Sequence, residues 1–272
     1  NILFALLLTA FAGLSTGIGS TIAFFARSTN TKLLTVSLGF SAGVMIYISF
    51  VEIFVEAKNS FVSTFGDFYG TLYTIIGFFG GMLLIALIDK FIPSVENPHE
   101  MHSLEEMQSK KVVNKEKYNK LYRMGILTAL AVGIHNFPEG IATFMTSLND
   151  PTVGIAIAIA VAIHNIPEGI AVSVPIFYAT GNRKKAFFYS FLSGIAEPVG
   201  AFLAYLLLMP FLNTENSEVA FGITMAAVAG IMVFISLDEL LPSAEEYGEH
   251  HWGIYGLTGG MAVMAISLLL LG

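Results

Sequence analysis

Long apolar stretches recur along the whole chain, each about as long as a bilayer is thick. A helix needs about 20 apolar residues to cross the hydrocarbon core. With 55% hydrophobic and 12% charged residues in 272, the chain is too apolar for an ordinary soluble domain. We predict an all-α membrane protein with eight transmembrane helices, numbered as spans 1 to 8, at residues 2–26, 33–57, 70–92, 124–148, 152–178, 186–210, 219–241 and 252–271.

The distribution of positive charge predicts an orientation. If the connection after span 1 is cytoplasmic, only Lys58 of the 13 Lys and Arg residues falls on the outer side. Because Lys and Arg near span ends favour the cytoplasm, we place both termini outside. The polar connection 93–123 then becomes a cytoplasmic linker. Residues 1–272 form one multi-pass transmembrane domain with the lipid bilayer as its partner.

The chain also contains an internal repeat. Gly43–Glu52 in span 2 matches Gly230–Glu239 in span 7, with Gly, Met, Ile, Ser and Glu in register. Weaker matches join span 3 to span 8 and span 1 to span 6, although glycine-rich apolar helices also resemble one another by chance. Matched spans are five apart, an odd number, so the second copy crosses in the opposite direction. We expect spans 1–3 and 6–8 to form an inverted repeat around spans 4 and 5.

Spans 4 and 5 carry a closer duplication, His135-Asn-Phe-Pro-Glu-Gly-Ile-Ala142 and His164-Asn-Ile-Pro-Glu-Gly-Ile-Ala171. Residues three and four apart share one face of a helix, so the His, Asn and Glu side chains of each motif can converge. Span 6 repeats the pattern of an acid followed by proline at Glu197. A carboxylate near the bilayer centre costs about 2.5–3.5 kcal/mol. No Lys or Arg lies deep in a predicted span to offset that cost, so these acids are either protonated or bound to a cation.

The ligand types favour a transition metal. Imidazoles beside carboxylates suit Zn²⁺, whereas Ca²⁺ and Mg²⁺ prefer all-oxygen shells. The absence of cysteine leaves only nitrogen and oxygen ligands. A packing role is the alternative, and it has most weight for Glu197. The predicted metal site comprises His135, Asn136, Glu139, His164, Asn165, Glu168 and Glu197.

Other acids and histidines allow two interpretations. Some acids lie near span ends, where position alone slightly favours ordinary solvated caps; they are Glu52, Glu56, Asp238 and Glu239. Four histidines could sense or receive metal on the cytoplasmic side, or simply be solvated; they are His99, His102, His250 and His251.

The paired His-Asn-x-Pro-Glu-Gly motifs, within eight spans and a long loop after the third, resemble the ZIP (Zrt/Irt-like protein) family. The similarity covers nearly the whole chain and is closest to the bacterial ZupT-like branch. It implies a transporter of the bacterial cytoplasmic membrane, not an enzyme. Its substrate would be Zn²⁺, with Fe²⁺, Mn²⁺, Cd²⁺ or Co²⁺ as further candidates, carried into the cytoplasm.

The resemblance also implies a binuclear centre between spans 2, 4, 5 and 6. Matching positions assign one metal to His135, Glu139, His164, Glu168 and Glu52. They assign the second to Asn136, Asn165 and Glu197, with Glu139 and Glu168 bridging. Many animal and plant members have histidine where this chain has Glu52, and the extra carboxylate leaves room for Fe²⁺ or Mn²⁺ beside Zn²⁺.

We expect a carrier that works by alternating access, and three alternatives compete with it. A metal-selective channel would use the same residues. An intramembrane zinc hydrolase needs an open water position and a separate base, whereas the ligand set here is duplicated and no catalytic residue accompanies it. Nucleic-acid binding has no support, because the basic residues flank the predicted spans. The oligomeric state is left open, a homodimer included.

Overall fold

The computed structural model describes residues 2–25, 31–91, 115–208, 210–211, 217–247 and 250–271. The prediction of an all-α chain is confirmed over these residues, which are helical almost throughout. Predicted linker residues 93–114, with His99 and His102, lie outside the described part. The helices are α1 (Ile2–Phe25), α2 (Thr31–Ile48), α3 (Phe54–Phe91), α4 (Lys115–Asn149), α5 (Pro151–Thr180), α6 (Arg183–Leu208), α7 (Ser217–Ile235), α8 (Leu241–Tyr247) and α9 (His250–Leu271).

Helices that could cross a membrane occur along the whole described part of the chain. Six stretches are long and apolar enough to cross a bilayer, and one of them, Thr35–Ile88, has 54 residues. At about 1.5 Å per residue, a straight helix of that length would be far longer than the hydrocarbon core of about 30 Å. The backbone turns at Gly66, where φ is 77° and ψ is 170°, so α3 consists of two helices joined end to end. A residue with a side chain rarely adopts that conformation.

Helix α4 begins at Lys115, nine residues before the predicted start of span 4 at residue 124. The added turns are rich in Lys and Glu, which are good helix formers, so the helix continues outside the apolar part. The polar motif and charged first turns lower the hydropathy of α4, which is not among the six apolar stretches.

The helices pack as two bundles. The motif bundle consists of α1, α4, α5 and α6, and the frame bundle consists of α2, α3, α7 and α9. Contacts between the bundles are fewer and run mainly from α5 to α2 and α9, and from α4 to α7. A cavity of about 610 Å³ opens between them, with an almost wholly apolar lining that includes Leu84, Phe137, Leu192 and Ile231.

Close backbone approaches lie within the bundles. In the motif bundle, a Cβ atom on Gly13 would overlap the carbonyl oxygen of Gly194, and one on Gly140 would overlap that of Glu197. In the frame bundle, Gly43 and Gly230 approach carbonyl groups of α9 and α3 in the same way. Among the glycines that the structure describes, no such backbone contact joins the two bundles. Side chains therefore form the interface between them.

Two short π-helical segments interrupt the frame bundle. They are Ser49–Ile53, between α2 and α3, and Ser236–Leu240, between α7 and α8. Both begin at the matching serine of the repeat found in the sequence. Such segments insert an extra residue into a helical turn and occur frequently at functional sites. Glu52 lies in the first segment, and Asp238 and Glu239 lie in the second.

Candidate metal site

The paired motifs place acids and amides side by side in the motif bundle. Helices α4 and α5 each contribute an asparagine and, three residues later, a glutamate, and α6 contributes a third glutamate. Helical periodicity puts each Asn and Glu on the same face. All five of these side chains are buried to within 1% of complete: Asn136, Glu139, Asn165, Glu168 and Glu197.

A cluster of possible metal ligands lies between α4 and α5. Glu139, His164 and Glu168 each offer one ligand atom, and these atoms lie within 4.8 Å of one another. The His164 Nε2 atom is 2.8 Å from Oε1 of Glu139, so the ring is already oriented toward the carboxylate. The other oxygen of Glu139 is buried and has no hydrogen-bond partner among the described residues. The cluster has the donor types and spacing of a transition-metal site.

The third carboxylate is coupled to the second motif. The Asn165 side-chain amide donates to Oε1 of Glu197 and, at 2.9 Å, to the carbonyl oxygen of Ala12 on α1. Glu197 interacts electrostatically with both Glu139 and Glu168. Its Oε2 atom and the Asn165 Oδ1 atom are buried without a hydrogen-bond partner in the described structure. Oxygen atoms able to bind a cation therefore extend beyond the first cluster.

Asn136 is oriented by the neighbouring helix. Its side-chain amide donates to the carbonyl oxygen of Ser193 on α6 at 3.2 Å. Its Oδ1 atom is fully buried and lacks a partner within the described ranges. The side-chain amide of Asn136 thus resembles that of Asn165: its nitrogen donates to a backbone carbonyl, and its oxygen is available to bind a cation.

Sequence analysis missed a serine at this centre. Ser41 of α2 donates its hydroxyl to Oε1 of Glu168 at 3.1 Å. This hydrogen bond links the frame bundle to the motif bundle. Serine is common in apolar helices, and only the packing of α2 against α5 distinguishes this one, so no local signal could have identified it.

The predicted ligands Glu52 and His135 are not among the residues of the described cluster, for different reasons. Glu52 is partly exposed and interacts electrostatically with Glu56 and Asp150, and it is not one of the three clustered residues. The α4 backbone includes residue 135, but the side chain of His135 lies outside what the structure describes. The His250 side chain is likewise outside, and His251 is exposed.

Near the ends of α3 and α4, polar side chains join the two bundles. Glu56 accepts hydrogen bonds from Thr146 at 3.1 Å and from Asn149 at 3.2 Å. Glu56 and Asn149 also border a cavity of about 490 Å³, which is lined by Met145 and Glu218 as well. Glu56 therefore contributes a cross-bundle contact beside a cavity with a mixed polar and apolar lining.

Comparisons with known proteins identify the family of the chain. The model of the family described as ZIP zinc transporter matches residues 93–268, which include both motifs and Glu197. The chain belongs to the ZIP family. This membership confirms the resemblance seen in the motifs, and it makes the chain a multi-pass membrane transporter of metal ions, not an enzyme.

Similar proteins from several bacteria extend the match over the full chain. The zinc transporter ZupT of Lysinibacillus sphaericus is 67% identical over 271 residues, covering 100% of this chain and 98% of the relative. The protein of the same name from Oceanobacillus iheyensis is 63% identical over 271 residues, with 100% and 99% covered. That from Clostridium perfringens is 60% identical over 279 residues, with 99% and 96% covered.

Proposed function

We propose that this ZIP-family chain carries Zn²⁺ into the cytoplasm through the centre of the motif bundle. The observation that carries the proposal is the burial of Glu139, Glu168 and Glu197 together, beside His164. Two ionised carboxylates whose oxygens lie within 4.8 Å of each other repel by about 3.5 kcal/mol or more at an effective dielectric constant of about 20. A divalent cation offsets this repulsion, and the relatives named above are called zinc transporters.

The donor set also suits related ions. Histidine nitrogen and carboxylate oxygen bind Zn²⁺, Fe²⁺, Mn²⁺, Co²⁺ and Cd²⁺ with graded affinity, so geometry and supply decide which ion is carried. Among these, zinc accepts the low coordination number and mixed nitrogen and oxygen ligands that the cluster offers. We propose Zn²⁺ as the principal substrate and the others as competitors.

The centre is proposed to hold two ions. Glu139 and Glu168 would bridge them, with His135, His164 and Glu52 on one ion and Asn136, Asn165 and Glu197 on the other. Support comes from the available oxygen atoms of both asparagines and of Glu197, which lie outside the three-residue cluster. Shared ligands keep each ion weakly bound, which favours release into the cytoplasm.

Alternating access is proposed to arise from motion of the motif bundle against the frame bundle. Backbone contacts at glycine interlock helices within each bundle, whereas Ser41 and Glu56 join the bundles through side chains. In this proposal eight helices cross the membrane as one domain over residues 1–272, with both termini outside and 93–123 in the cytoplasm. Side-chain contacts between the bundles can be exchanged at a lower cost in free energy than closely packed backbones can be separated.

Uptake by reconstituted protein tests the proposal. Proteoliposomes containing Glu139→Ala or Glu168→Ala should lose most ⁶⁵Zn²⁺ uptake, because each change removes a buried carboxylate from the centre. Asp67→Ala is the matched control, since Asp67 is exposed beside the Gly66 turn. Parent-like uptake by both site variants would refute the assignment. Saturable uptake with countertransport distinguishes a carrier from a channel.

A further inference from the structure

The motif bundle has an internal two-fold symmetry that exchanges α1 with α6 and α4 with α5. Gly13 of α1 and Gly194 of α6 approach each other's carbonyl oxygens. Gly19 approaches the carbonyl of Ile166, and the equivalent Gly200 approaches that of Phe137, which is the matching residue of the other motif. These paired contacts relate positions on one half of the bundle to positions on the other.

The same symmetry relates the two asparagines. Asn165 on α5 donates to the carbonyl oxygen of Ala12 on α1 at 2.9 Å. Asn136 on α4 donates to that of Ser193 on α6 at 3.2 Å. Ala12 lies one residue before Gly13, as Ser193 lies one residue before Gly194. The hydrogen bonds of the two asparagines therefore obey the same symmetry as the glycine contacts.

Under this exchange, Thr16 is the counterpart of Glu197. A Cβ atom on Gly169 would overlap the carbonyl oxygen of Thr16, and one on Gly140 would overlap that of Glu197. Gly169 and Gly140 each follow the motif glutamate directly. Thr16 therefore occupies, on α1, the position that carries the third carboxylate on α6.

The Thr16 side chain is buried, and among the described residues it has no hydrogen-bond partner. It is 0% exposed, and its hydroxyl oxygen is unpartnered within the described structure. Among the described residues, the Oδ1 atoms of both asparagines are unpartnered too, but the Asn165 nitrogen donates to Glu197, whereas no equivalent bond joins Asn136 to Thr16. A buried polar group without a partner costs about 1–3 kcal/mol, so a hydroxyl retained at such a position needs a reason.

We propose that Thr16 provides a neutral oxygen ligand of the metal centre, opposite Glu197. This inference rests on the proposed function of the motif bundle as the metal carrier. One end of the centre then has the carboxylate of Glu197 with Asn165, and the other has the hydroxyl of Thr16 with the amide oxygen of Asn136. A further carboxylate would hold a divalent ion more tightly, whereas a hydroxyl binds it weakly enough to leave.

Valine and serine variants separate the hydroxyl from the shape of the side chain. Thr16→Val keeps the size and removes the hydroxyl, and Thr16→Ser keeps the hydroxyl. Thr9→Val is the matched control on the same helix, because Thr9 is also 0% exposed and its hydroxyl bonds only to the local Ala5 carbonyl, at 3.0 Å. Equilibrium binding of ⁶⁵Zn²⁺ to purified protein, and thermal unfolding with and without Zn²⁺, provide the measurements.

We expect Thr16→Val to weaken Zn²⁺ binding about 10-fold, within the range for polar groups that support metal sites. Thr16→Ser and Thr9→Val should remain within about two-fold of the parent. Without metal, Thr16→Val should unfold at a higher temperature, because a buried unpaired hydroxyl is removed. Zn²⁺ should then raise that temperature less than it does in the parent.

Two outcomes would overturn the inference. Parent-like Zn²⁺ affinity in Thr16→Val would make the hydroxyl a packing group only, and equal weakening in Thr16→Val and Thr16→Ser would assign the effect to shape. Glu139→Ala, measured alongside, separates the two proposals. If it abolishes binding while Thr16→Val does not, only the role of Thr16 fails; if it also leaves binding intact, the proposed function fails.

Discussion

Replacing Glu139 with glutamine removes one negative charge from the centre and preserves the size of the side chain. Glu139 is 0% exposed, one of its oxygens lies 2.8 Å from the His164 ring, and the other has no partner among the described residues. Glu168 and Glu197 are its acidic neighbours. The change should therefore have opposite effects on the protein without metal and on its affinity for Zn²⁺.

The expected magnitude follows from the distance between ligand atoms. Because the ligand atoms of Glu139 and Glu168 lie within 4.8 Å of each other, the two ionised carboxylates repel by about 3.5 kcal/mol or more at an effective dielectric constant of about 20. Glu139→Gln should relieve that repulsion when both acids are ionised, and so stabilise the metal-free fold. Loss of a charged ligand should weaken Zn²⁺ binding about 100-fold, which corresponds to about 2.7 kcal/mol.

Thermal unfolding of purified protein, with a chelator and then with added Zn²⁺, measures both effects. The metal-free Glu139→Gln protein should unfold at a higher temperature than the parent. Zn²⁺ should raise its unfolding temperature further, but a higher Zn²⁺ concentration than for the parent should be needed to reach the full increase. Asp67→Asn, in which an exposed acid is neutralised, should leave both values unchanged. An unchanged unfolding temperature without metal, together with a parent-like Zn²⁺ response, would refute the reasoning.

Three further changes test other contacts. Ser41→Ala removes a hydrogen bond to a buried carboxylate, so it should destabilise the protein by about 1.5 kcal/mol. It should also raise the half-saturating Zn²⁺ concentration for ⁶⁵Zn²⁺ uptake a few-fold, and an unchanged half-saturating concentration would exclude a role for Ser41 in the centre. Glu56→Ala removes two hydrogen bonds between the bundles. Because the chain has no cysteine, a Met145→Cys substitution provides a single thiol, and Glu56→Ala should increase its rate of labelling by an external thiol reagent. An unchanged labelling rate would show that the Glu56 hydrogen bonds do not hold the two bundles together at this position. Gly140→Ala forces α4 and α6 apart and should lower the free energy of unfolding by about 1–3 kcal/mol, whereas Gly80→Ala places a methyl group in open space and should leave it unchanged. Equal stability of the two variants would contradict the close approach of Gly140 to α6.

Local sequence was sufficient to predict which motif residues share a helix face. Asn136 and Glu139, three residues apart, are both fully buried, as helical periodicity requires for a common face. The cost of placing carboxylates in lipid indicated that they would gather around a cation. The structure accordingly brings Glu168 and His164 together with Glu139.

Features that depend on packing between helices could not be predicted. Ser41 reaches the carboxylate of Glu168 only because α2 lies against α5, and nothing in the sequence around Ser41 indicates that packing. The π-helical form of Ser49–Ile53 also escaped the analysis, because one extra residue in a turn does not alter hydrophobicity over a whole span. The start of α4 differs from the prediction for another reason: a helix can extend beyond the apolar segment that crosses the lipid.

The division of the chain between the two bundles has a consequence for how the protein is made. The motif bundle uses α1 and then α4 to α6, so its last helix ends at Leu208, whereas the frame bundle is complete only when α9 has been synthesised. Domains generally fold as units during synthesis, beginning from the N-terminus. The motif bundle can therefore assemble while the ribosome is still translating, and α2 and α3 must wait in the lipid for their later partners.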